Sequence, residues 1–133
     1  MSCTKESPKV IETDKAPKGV GVYSQALQVE NTYYFSGQIG IDPSTMELKE
    51  GFLAQLNQIF ANIDGVLNAA DLQRSHIIKT TVFLQDMQYF NDLNNEYKKY
   101  FQHPYPTRSC VQVAKLPKNA LVEIEVIGYC HRH

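Results

Sequence analysis

The sequence contains few of the residues that build disulfide frameworks and zinc sites. Its 3 cysteines, Cys3, Cys110 and Cys130, include no CxxC pair, and its 4 histidines show no metal-ligand spacing. This pattern argues against a disulfide-stabilised fold and against a four-ligand zinc site. We therefore expect no metal ion and a reducing compartment, the cytoplasm.

Long apolar runs and an excess of one charge are also absent. The apolar runs are a few residues long, far short of the ~20 that a membrane helix needs. Residues 1–18 contain neither a continuous apolar segment nor an arginine, so we expect no signal peptide and no transit peptide. With 13 basic and 14 acidic residues the net charge is -1, which offers no sequence-wide attraction to nucleic acid or anionic lipid. A soluble protein without a membrane or nucleic-acid partner is expected.

Two stretches have the period of an amphipathic helix. Between residues 52 and 67, apolar side chains recur every three or four positions. A second stretch follows Asp86, a suitable helix cap, and ends at His103-Pro104 because proline has no amide hydrogen. The apolar positions of this second stretch are Phe90, Leu93, Tyr97 and Phe101. Each helix should bury one face.

Five stretches are predicted to be strands. A hairpin joins 26–29 to 33–35, a β-branched run occupies 77–84, and two strands follow at 108–114 and 121–129. At 133 residues and 43% hydrophobic content, the chain fits one domain over 1–133. The order β-β-α-β-α-β-β predicts an α+β domain with two helices on one sheet face. Residues 1–12 form an extension without a usable motif, and the tail 130–133 is expected to fray.

The last predicted strand has one apolar face and one mixed face. Val122, Ile124 and Val126 should point to the helices, because alternate side chains of a strand share a face. The opposite face carries Leu121, Glu123, Glu125, Ile127 and Tyr129. This face is too apolar to remain wholly in water, so we expect copies of the same chain to cover it in a small closed homo-oligomer.

An arginine within an apolar strand is a candidate anion site. Burying Arg108 beside Val111 and Val113 is costly unless an anion pairs with it, which predicts a clamp for a substrate carboxylate. The alternative is an ion pair with Glu123 or Glu125 across the sheet. If the last two strands form a hairpin, Glu123 lies on the order of 13 Å from Arg108 along the strand. A site that uses both would then draw them from neighbouring subunits.

Six segments, in matching order, resemble the RidA/YjgF family. They are residues 21–25 (GVYSQ), 35–39 (FSGQI), 79–84 (KTTVFL), 108–111 (RSCV), 113–118 (VAKLPK) and 122–125 (VEIE). The resemblance runs from about Thr13 to Gly128. It implies a chorismate-mutase-like fold with a mostly antiparallel mixed sheet, and a homotrimer with clefts between subunits. It also implies hydrolysis of 2-imino acids such as 2-iminobutanoate and 2-iminopropanoate to 2-oxo acids and ammonia, without a cofactor. Many members have proline where Val22 and Gly40 stand, and both departures are expected to loosen nearby loops.

The resemblance also implies six site residues, by motif position. They are Tyr23, Ser36, Asn94, Arg108, Cys110 and Glu123. Arg108 would hold the carboxylate through two parallel hydrogen bonds, and Glu123 would accept a proton from the attacking water. Tyr23, the second catalytic candidate, and Ser36 would hydrogen-bond the water, the imine nitrogen or the departing ammonia.

The remaining two candidates would bind rather than react. Asn94 would fix the arginine, and Cys110 would line the pocket without acting as a nucleophile, since no histidine neighbours it. Each candidate also has an ordinary structural interpretation. Glu123 would be a solvated carboxylate, Tyr23 and Ser36 turn and strand residues, Asn94 a polar surface residue and Cys110 a core residue.

Three classes of function follow from these residues. The first is the imine deaminase, and the second is a module that binds a carboxylate ligand in the same cleft without turnover. The third is an endoribonuclease or translation inhibitor, an activity also attributed to this family. Lys98 and Lys99, between Tyr97 and Tyr100, would offer a basic and aromatic spot for RNA, although such a pair is usually a solvated helix face.

Overall fold

The fold is that of a computed structural model that describes residues 7–19 and 22–132. Cys3, Gly21 and His133 therefore lie outside the described residues. The elements, in chain order, are β1 (Lys9–Ile11), β2 (Ala26–Val29), β3 (Thr32–Phe35), β4 (Ile41–Asp42), β5 (Glu47–Leu48), α1 (Phe52–Ala69), β6 (Ile77–Leu84), α2 (Phe90–Tyr100), β7 (Thr107–Gln112) and β8 (Val122–Tyr129). The five predicted strands and both predicted helices are confirmed, whereas β1, β4 and β5 were not predicted.

Six strands form one sheet in the order β1-β2-β3-β8-β6-β7, and β4 and β5 form a small separate ribbon. Only the β6–β7 pair of the large sheet is parallel. A parallel pair needs a crossover, which α2 supplies. The predicted hairpin between the last two strands is wrong, because β8 lies between β3 and β6 while β7 occupies the edge beyond β6. The predicted α+β class with a mostly antiparallel mixed sheet is confirmed.

Both helices pack on the same face of the sheet. The predicted inward residues of β8, Val122, Ile124 and Val126, are at most 2% exposed. The fully buried side chains that α1 sends toward them include Leu56 and Ile59. Burying one such side chain contributes roughly 1.5–3 kcal/mol. The opposite face has no covering element among the described residues and leaves Tyr34, Val111 and Tyr129 exposed, as the alternation in β8 predicts.

Gly40 fixes the segment that follows β3 against α1. A Cβ on Gly40 would lie 2.5 Å from Cα of Gln55, so only glycine allows the two backbones to approach this closely. Buried Gln55 accepts a hydrogen bond from the Leu121 amide at 2.8 Å and donates one to the Lys49 carbonyl at 3.0 Å. The backbone at Gly40 is therefore closely packed, which argues against the expected loosening. Val22, the other departure, is fully exposed.

Residues 130–132 of the C-terminal tail are attached to the fold, contrary to the predicted fraying. Arg132 donates hydrogen bonds to the carbonyls of Ala70 and Asp71 at 3.1 and 2.9 Å, where α1 ends. It also donates to the hydroxyl of Tyr33 at 3.3 Å. A guanidinium at a helix C-terminus supplies donors for the last carbonyls, which sequence periodicity does not reveal.

The described part of the chain contains neither a membrane-spanning helix nor a cluster of metal ligands. None of its helices has the length and apolar character required to cross a membrane. Across residues 7–19 and 22–132, no group of three or more His, Cys, Asp or Glu side chains is placed to hold a metal ion.

Candidate active site

The six predicted site residues fall into two separate groups. Asn94, Arg108 and Cys110 lie at the β7 edge, on the face that the helices cover. Tyr23, Ser36 and Glu123 line a cavity of about 320 Å³ near the start of β8. One chain therefore brings together three candidates in each place and does not unite the six.

The guanidinium of Arg108 is hydrogen-bonded to a side-chain amide rather than to a carboxylate. Its Nη1 donates a hydrogen bond to Oδ1 of Asn94 at 2.8 Å. None of the ion pairs formed among the described residues includes Arg108. The alternative pairing with Glu123 or Glu125 is wrong, because those side chains leave the sheet on the face opposite α2. The guanidinium therefore keeps donors for a carboxylate from outside this group.

Cys110 lies two residues beyond Arg108 on the same side of β7 and packs against the core. Burial raises the pKa of its thiol, and the nearby Arg108 charge opposes this effect. A thiol with a raised pKa remains protonated at neutral pH and is a poor nucleophile. The geometry therefore favours the lining role over covalent chemistry.

Glu123 lies against the backbone of Gly37. The segment Ser36–Gln38 runs alongside β8, because the Gln38 amide donates to the Ile124 carbonyl at 2.9 Å and the Gln38 carbonyl accepts a hydrogen bond from the Ile124 amide at 3.1 Å. A Cβ on Gly37 would lie 2.7 Å from Oε2 of Glu123. The absent side chain thus leaves the space that the carboxylate occupies.

The environment of Glu123 alters its acidity. Burial raises the pKa of its carboxyl group, and the negative charge of Glu125 raises it further. A carboxylate with a raised pKa is a stronger base than a solvated one. The ordinary interpretation as a fully solvated strand residue does not describe this half-buried group.

Ser36 has a specific hydrogen-bonding role in the cavity wall. Its hydroxyl donates to the Ser24 carbonyl at 2.6 Å, and its amide donates to the Gln25 carbonyl at 2.9 Å. Because the hydroxyl hydrogen is already engaged, Oγ offers lone pairs to a ligand rather than a proton. Ser36 is therefore suited to accept a hydrogen bond from an N–H group or a water.

Tyr23 stands at the exposed end of the same cavity. Its side chain is 57% exposed, and Gly19 allows its close approach: a Cβ there would lie 2.8 Å from the Tyr23 carbonyl oxygen and 3.1 Å from its ring. Sequence reasoning did not identify this supporting glycine. The position of Tyr23 therefore depends on the segment that precedes it.

Other cavity residues were also missed from the sequence. Gln25 is buried; its side-chain amide donates to the Pro17 carbonyl at 2.8 Å and its side-chain oxygen accepts from the Thr13 amide at 2.8 Å. These bonds hold residues 13–17 beside the cavity. Lys118, which also lines it, has a positive φ of 56°. Gln25 lies in the GVYSQ segment and Lys118 in the LPK segment, so the family resemblance includes both positions. It does not indicate the contacts that they make.

The sheet register separates Arg108 from Glu123 within one chain. Arg108 lies beside Thr80, whose partner on β8 is Val126, three residues from Glu123. Two strand spacings and three residues along a strand place the two Cα atoms roughly 14 Å apart. Their side chains also point to opposite faces. The predicted separation therefore holds, although the hairpin from which it was argued does not exist.

Comparison with known proteins identifies similar sequences and structures. The model of a family described as endoribonuclease L-PSP matches residues 13–130. A mouse protein named 2-iminobutanoate/2-iminopropanoate deaminase is 47% identical, over 90% of this chain and 90% of its own. A RutC family protein of Leuconostoc mesenteroides is 48% identical, over 90% of this chain and 96% of its own.

A solved structure agrees with the fold as well. The crystal structure of RidA from an Antarctic Psychrobacter species has a TM-score of 0.90 at 50% identity and covers 92% of this chain and 99% of its own. Both this match of the fold, over most of the chain, and the family model agree with the six segments noted in the sequence. The chain belongs to the endoribonuclease L-PSP family, the family also called RidA/YjgF.

Proposed function

We propose that this protein is a cytoplasmic deaminase that hydrolyses reactive 2-imino acids, such as 2-iminobutanoate and 2-iminopropanoate, to 2-oxo acids and ammonia. One observation carries the proposal: Arg108 has no carboxylate partner among the described residues, while Glu123, with a raised pKa, faces a cavity. A site with one carboxylate-binding group and one base suits a substrate that carries a carboxylate beside an electrophilic carbon. Similar proteins in mammals bear the name of this activity.

The chemistry assigns one task to each group. Arg108 holds the substrate carboxylate through guanidinium N–H groups other than the one donated to Asn94. Water adds to the carbon of the protonated imine, while Glu123 accepts a proton from that water. The adduct then carries a hydroxyl and an amino group on the same carbon. Glu123 returns its proton to the nitrogen and takes up the hydroxyl proton, so that the C–N bond breaks as the C=O bond forms and ammonia and the 2-oxo acid are released.

The cavity wall supplies the remaining interactions. Oγ of Ser36, whose hydrogen is engaged by the Ser24 carbonyl, accepts a hydrogen bond from the iminium N–H or the departing ammonia. Tyr23 hydrogen-bonds the water at the exposed end. Cys110 lines the arginine side of the site.

A site built from both groups requires two copies of the chain. The face of the sheet that carries Glu123 is uncovered, and its exposed side chains include Tyr34, Val111 and Tyr129. A neighbouring copy packed against this face would bury apolar surface and bring its own Arg108 toward the Glu123 cavity. We therefore include in the proposal a homotrimer with its sites between subunits.

The ribonuclease alternative loses its main sequence support. Tyr97 and Tyr100 are only 7% and 6% exposed, so neither ring is available to stack on a base. Lys99 forms an ion pair with Glu96 at 3.1 Å. The basic and aromatic spot that this alternative requires on α2 is therefore not formed. The binding-module alternative uses the same residues as the deaminase and differs from it only in turnover.

A trapping assay tests the proposed activity. A threonine dehydratase supplies 2-iminobutanoate, and semicarbazide captures the imine that is not hydrolysed. We expect the wild-type protein to divert the imine to 2-oxobutanoate and Arg108→Ala to leave the trapped fraction unchanged, because the carboxylate is no longer held. Arg74→Ala is the matched control, since Arg74 pairs with Asp64 away from the site. No diversion by folded wild-type protein would reject the deaminase in favour of the binding module.

Gly37→Ala tests the placement of Glu123. The new Cβ would meet Oε2 of Glu123 at 2.7 Å, and the flexible carboxylate would move away. We expect kcat/KM for 2-iminobutanoate to decrease by at least about 10-fold, as displacement of a catalytic group by about 1 Å has large effects. Thermal denaturation should change little. Gly128→Ala is the control, because its Cβ meets no atom closer than 3.5 Å; equal activity of the two variants would contradict the placement.

A further inference from the structure

Three side chains of α2 contact the guanidinium of Arg108. Besides the hydrogen bond to Asn94, its Cζ lies 4.8 Å from the ring centre of Tyr97 and 5.4 Å from that of Phe90. Positions 90, 94 and 97 share one helix face. Both rings lie within the ~6 Å at which an aromatic face attracts a cation. The guanidinium is thus held by a hydrogen bond and by ring contacts.

The ring of Tyr97 is itself held in place. Its hydroxyl lies 2.7 Å from Oγ1 of Thr80, which is fully buried. Thr80 is also the residue beside Arg108 in the parallel β6–β7 pair. These contacts form a closed circuit. The backbone of Arg108 lies beside Thr80, Thr80 contacts Tyr97, and Tyr97 contacts the guanidinium of Arg108.

We propose that Tyr97, held by Thr80, is a positioning residue that orients Arg108 for the substrate carboxylate. This inference rests on the proposed function, in which Arg108 binds that carboxylate. The single hydrogen bond to Asn94 leaves the guanidinium free to turn about one nitrogen. The ring of Tyr97 supplies the second constraint, which fixes the plane of the fork and thereby the direction of its free N–H groups.

The benefit of this arrangement is preorganisation. An arginine loses rotamer freedom when it binds a ligand, and this loss opposes binding. Around Arg108 the freedom is already lost when β6, β7 and α2 fold together. Binding of a carboxylate then requires little further ordering of the side chain.

Tyr97→Phe tests the proposal, because it keeps the ring and removes the hydroxyl that Thr80 holds. We expect KM for 2-iminobutanoate and the Kd for the product 2-oxobutanoate to rise together, by about 5- to 10-fold, with kcat within about 2-fold of wild type. Thr80→Ser keeps a hydroxyl at the same place and should retain wild-type values. Retention of wild-type values by this conservative variant would separate the hydrogen bond from general packing.

Tyr100→Phe is the matched control for a lost buried hydroxyl. Tyr100 lies on the same helix, is 6% exposed, and donates its hydroxyl to Asp64 at 2.6 Å, away from Arg108. We expect its KM and Kd to remain at wild-type values. The Tyr97→Phe change, made in the Arg108→Ala background, should have no further effect on 2-oxobutanoate binding. Equal effects of Tyr97→Phe and Tyr100→Phe, or an undiminished effect without Arg108, would overturn the proposal.

A ligand-free measurement separates this proposal from the proposed function. The Nε–H nuclear magnetic resonance signal of Arg108 is identified by its loss in Arg108→Ala. We expect it to be sharp in the wild type and in Tyr100→Phe, and broadened in Tyr97→Phe. A broadened signal together with an inactive wild-type protein would reject the deaminase but keep the positioning role. An unchanged signal in Tyr97→Phe would reject the positioning role even if the wild type is active.

Discussion

An equimolar mixture of Arg108→Ala and Glu123→Ala proteins, each inactive alone, is expected to regain about a quarter of the wild-type activity. In one chain, Arg108 and Glu123 point to opposite faces of the sheet. If each site takes its arginine from one copy and its glutamate from a neighbour, random exchange gives about one site in four with both residues intact. The measurement is 2-oxobutanoate formation in the trapping assay, after native mass spectrometry has shown mixed assemblies.

The control for this experiment is a chain that carries both substitutions. Mixed with Arg108→Ala, it leaves no intact Arg108 in any assembly, so no activity should return. Recovery in that control would indicate that exchange alone, rather than a shared site, restores turnover. Absence of recovery in the main mixture, despite mixed assemblies, would show that the site does not combine these two residues from different copies.

Glu123→Gln is expected to reduce kcat/KM for 2-iminobutanoate by about 10²- to 10⁴-fold, the usual contribution of one general base. The amide has nearly the same shape but cannot accept the proton from water. Size-exclusion chromatography and circular dichroism should show an unchanged fold. Residual activity near the wild-type level would mean that another group accepts the proton.

The pH profile distinguishes a base from a structural carboxylate. Burial and the charge of Glu125 both raise the pKa of Glu123, so the acid limb of kcat/KM should lie above the usual glutamate range. Glu125→Gln removes the nearby charge and should move that limb to lower pH. Activity near neutral pH should persist in this control, since Glu125 is outside the cavity lining. An unmoved limb would assign it to a different group.

The same pKa shift predicts a change in stability. The folded carboxyl holds its proton more tightly than the unfolded chain does, so its contribution to stability is complete below the unfolded pKa of ~4.3 and decreases as pH rises through the folded pKa. Glu123→Gln should therefore have a higher free energy of unfolding than wild type at neutral pH, and the difference should shrink in acid. Urea denaturation at several pH values measures this difference.

Sequence periodicity predicted the elements because their apolar spacing is local. The helix expected at 52–67 extends over Phe52–Ala69, and the strand expected at 77–84 is found unchanged. Strand pairing was harder to predict, because a residue pattern does not indicate which strand lies beside which. The three-residue β1 was too short for alternation to identify it.

The site was predictable in its residue types but not in its arrangement. The cost of burying a charge identified Arg108, and the family resemblance supplied Asn94, which lies 2.8 Å from it. The neighbours that shape the site left no such signal. Gly37 shapes the site because its missing side chain leaves space for Glu123. The role of the Thr80 hydroxyl becomes evident only when β6 is placed beside β7. These effects depend on tertiary contacts.

The position of β8 has a consequence for biosynthesis. This strand, Val122–Tyr129, is the last strand among the described residues, yet it joins β1–β3 on one side to β6–β7 on the other. While a ribosome makes the first 121 residues, β3 and β6 present unpaired edges that favour wrong associations. The sheet therefore closes only after Val122–Tyr129 has been made, so a nonsense codon that ends the chain before Val122 would abolish the whole fold.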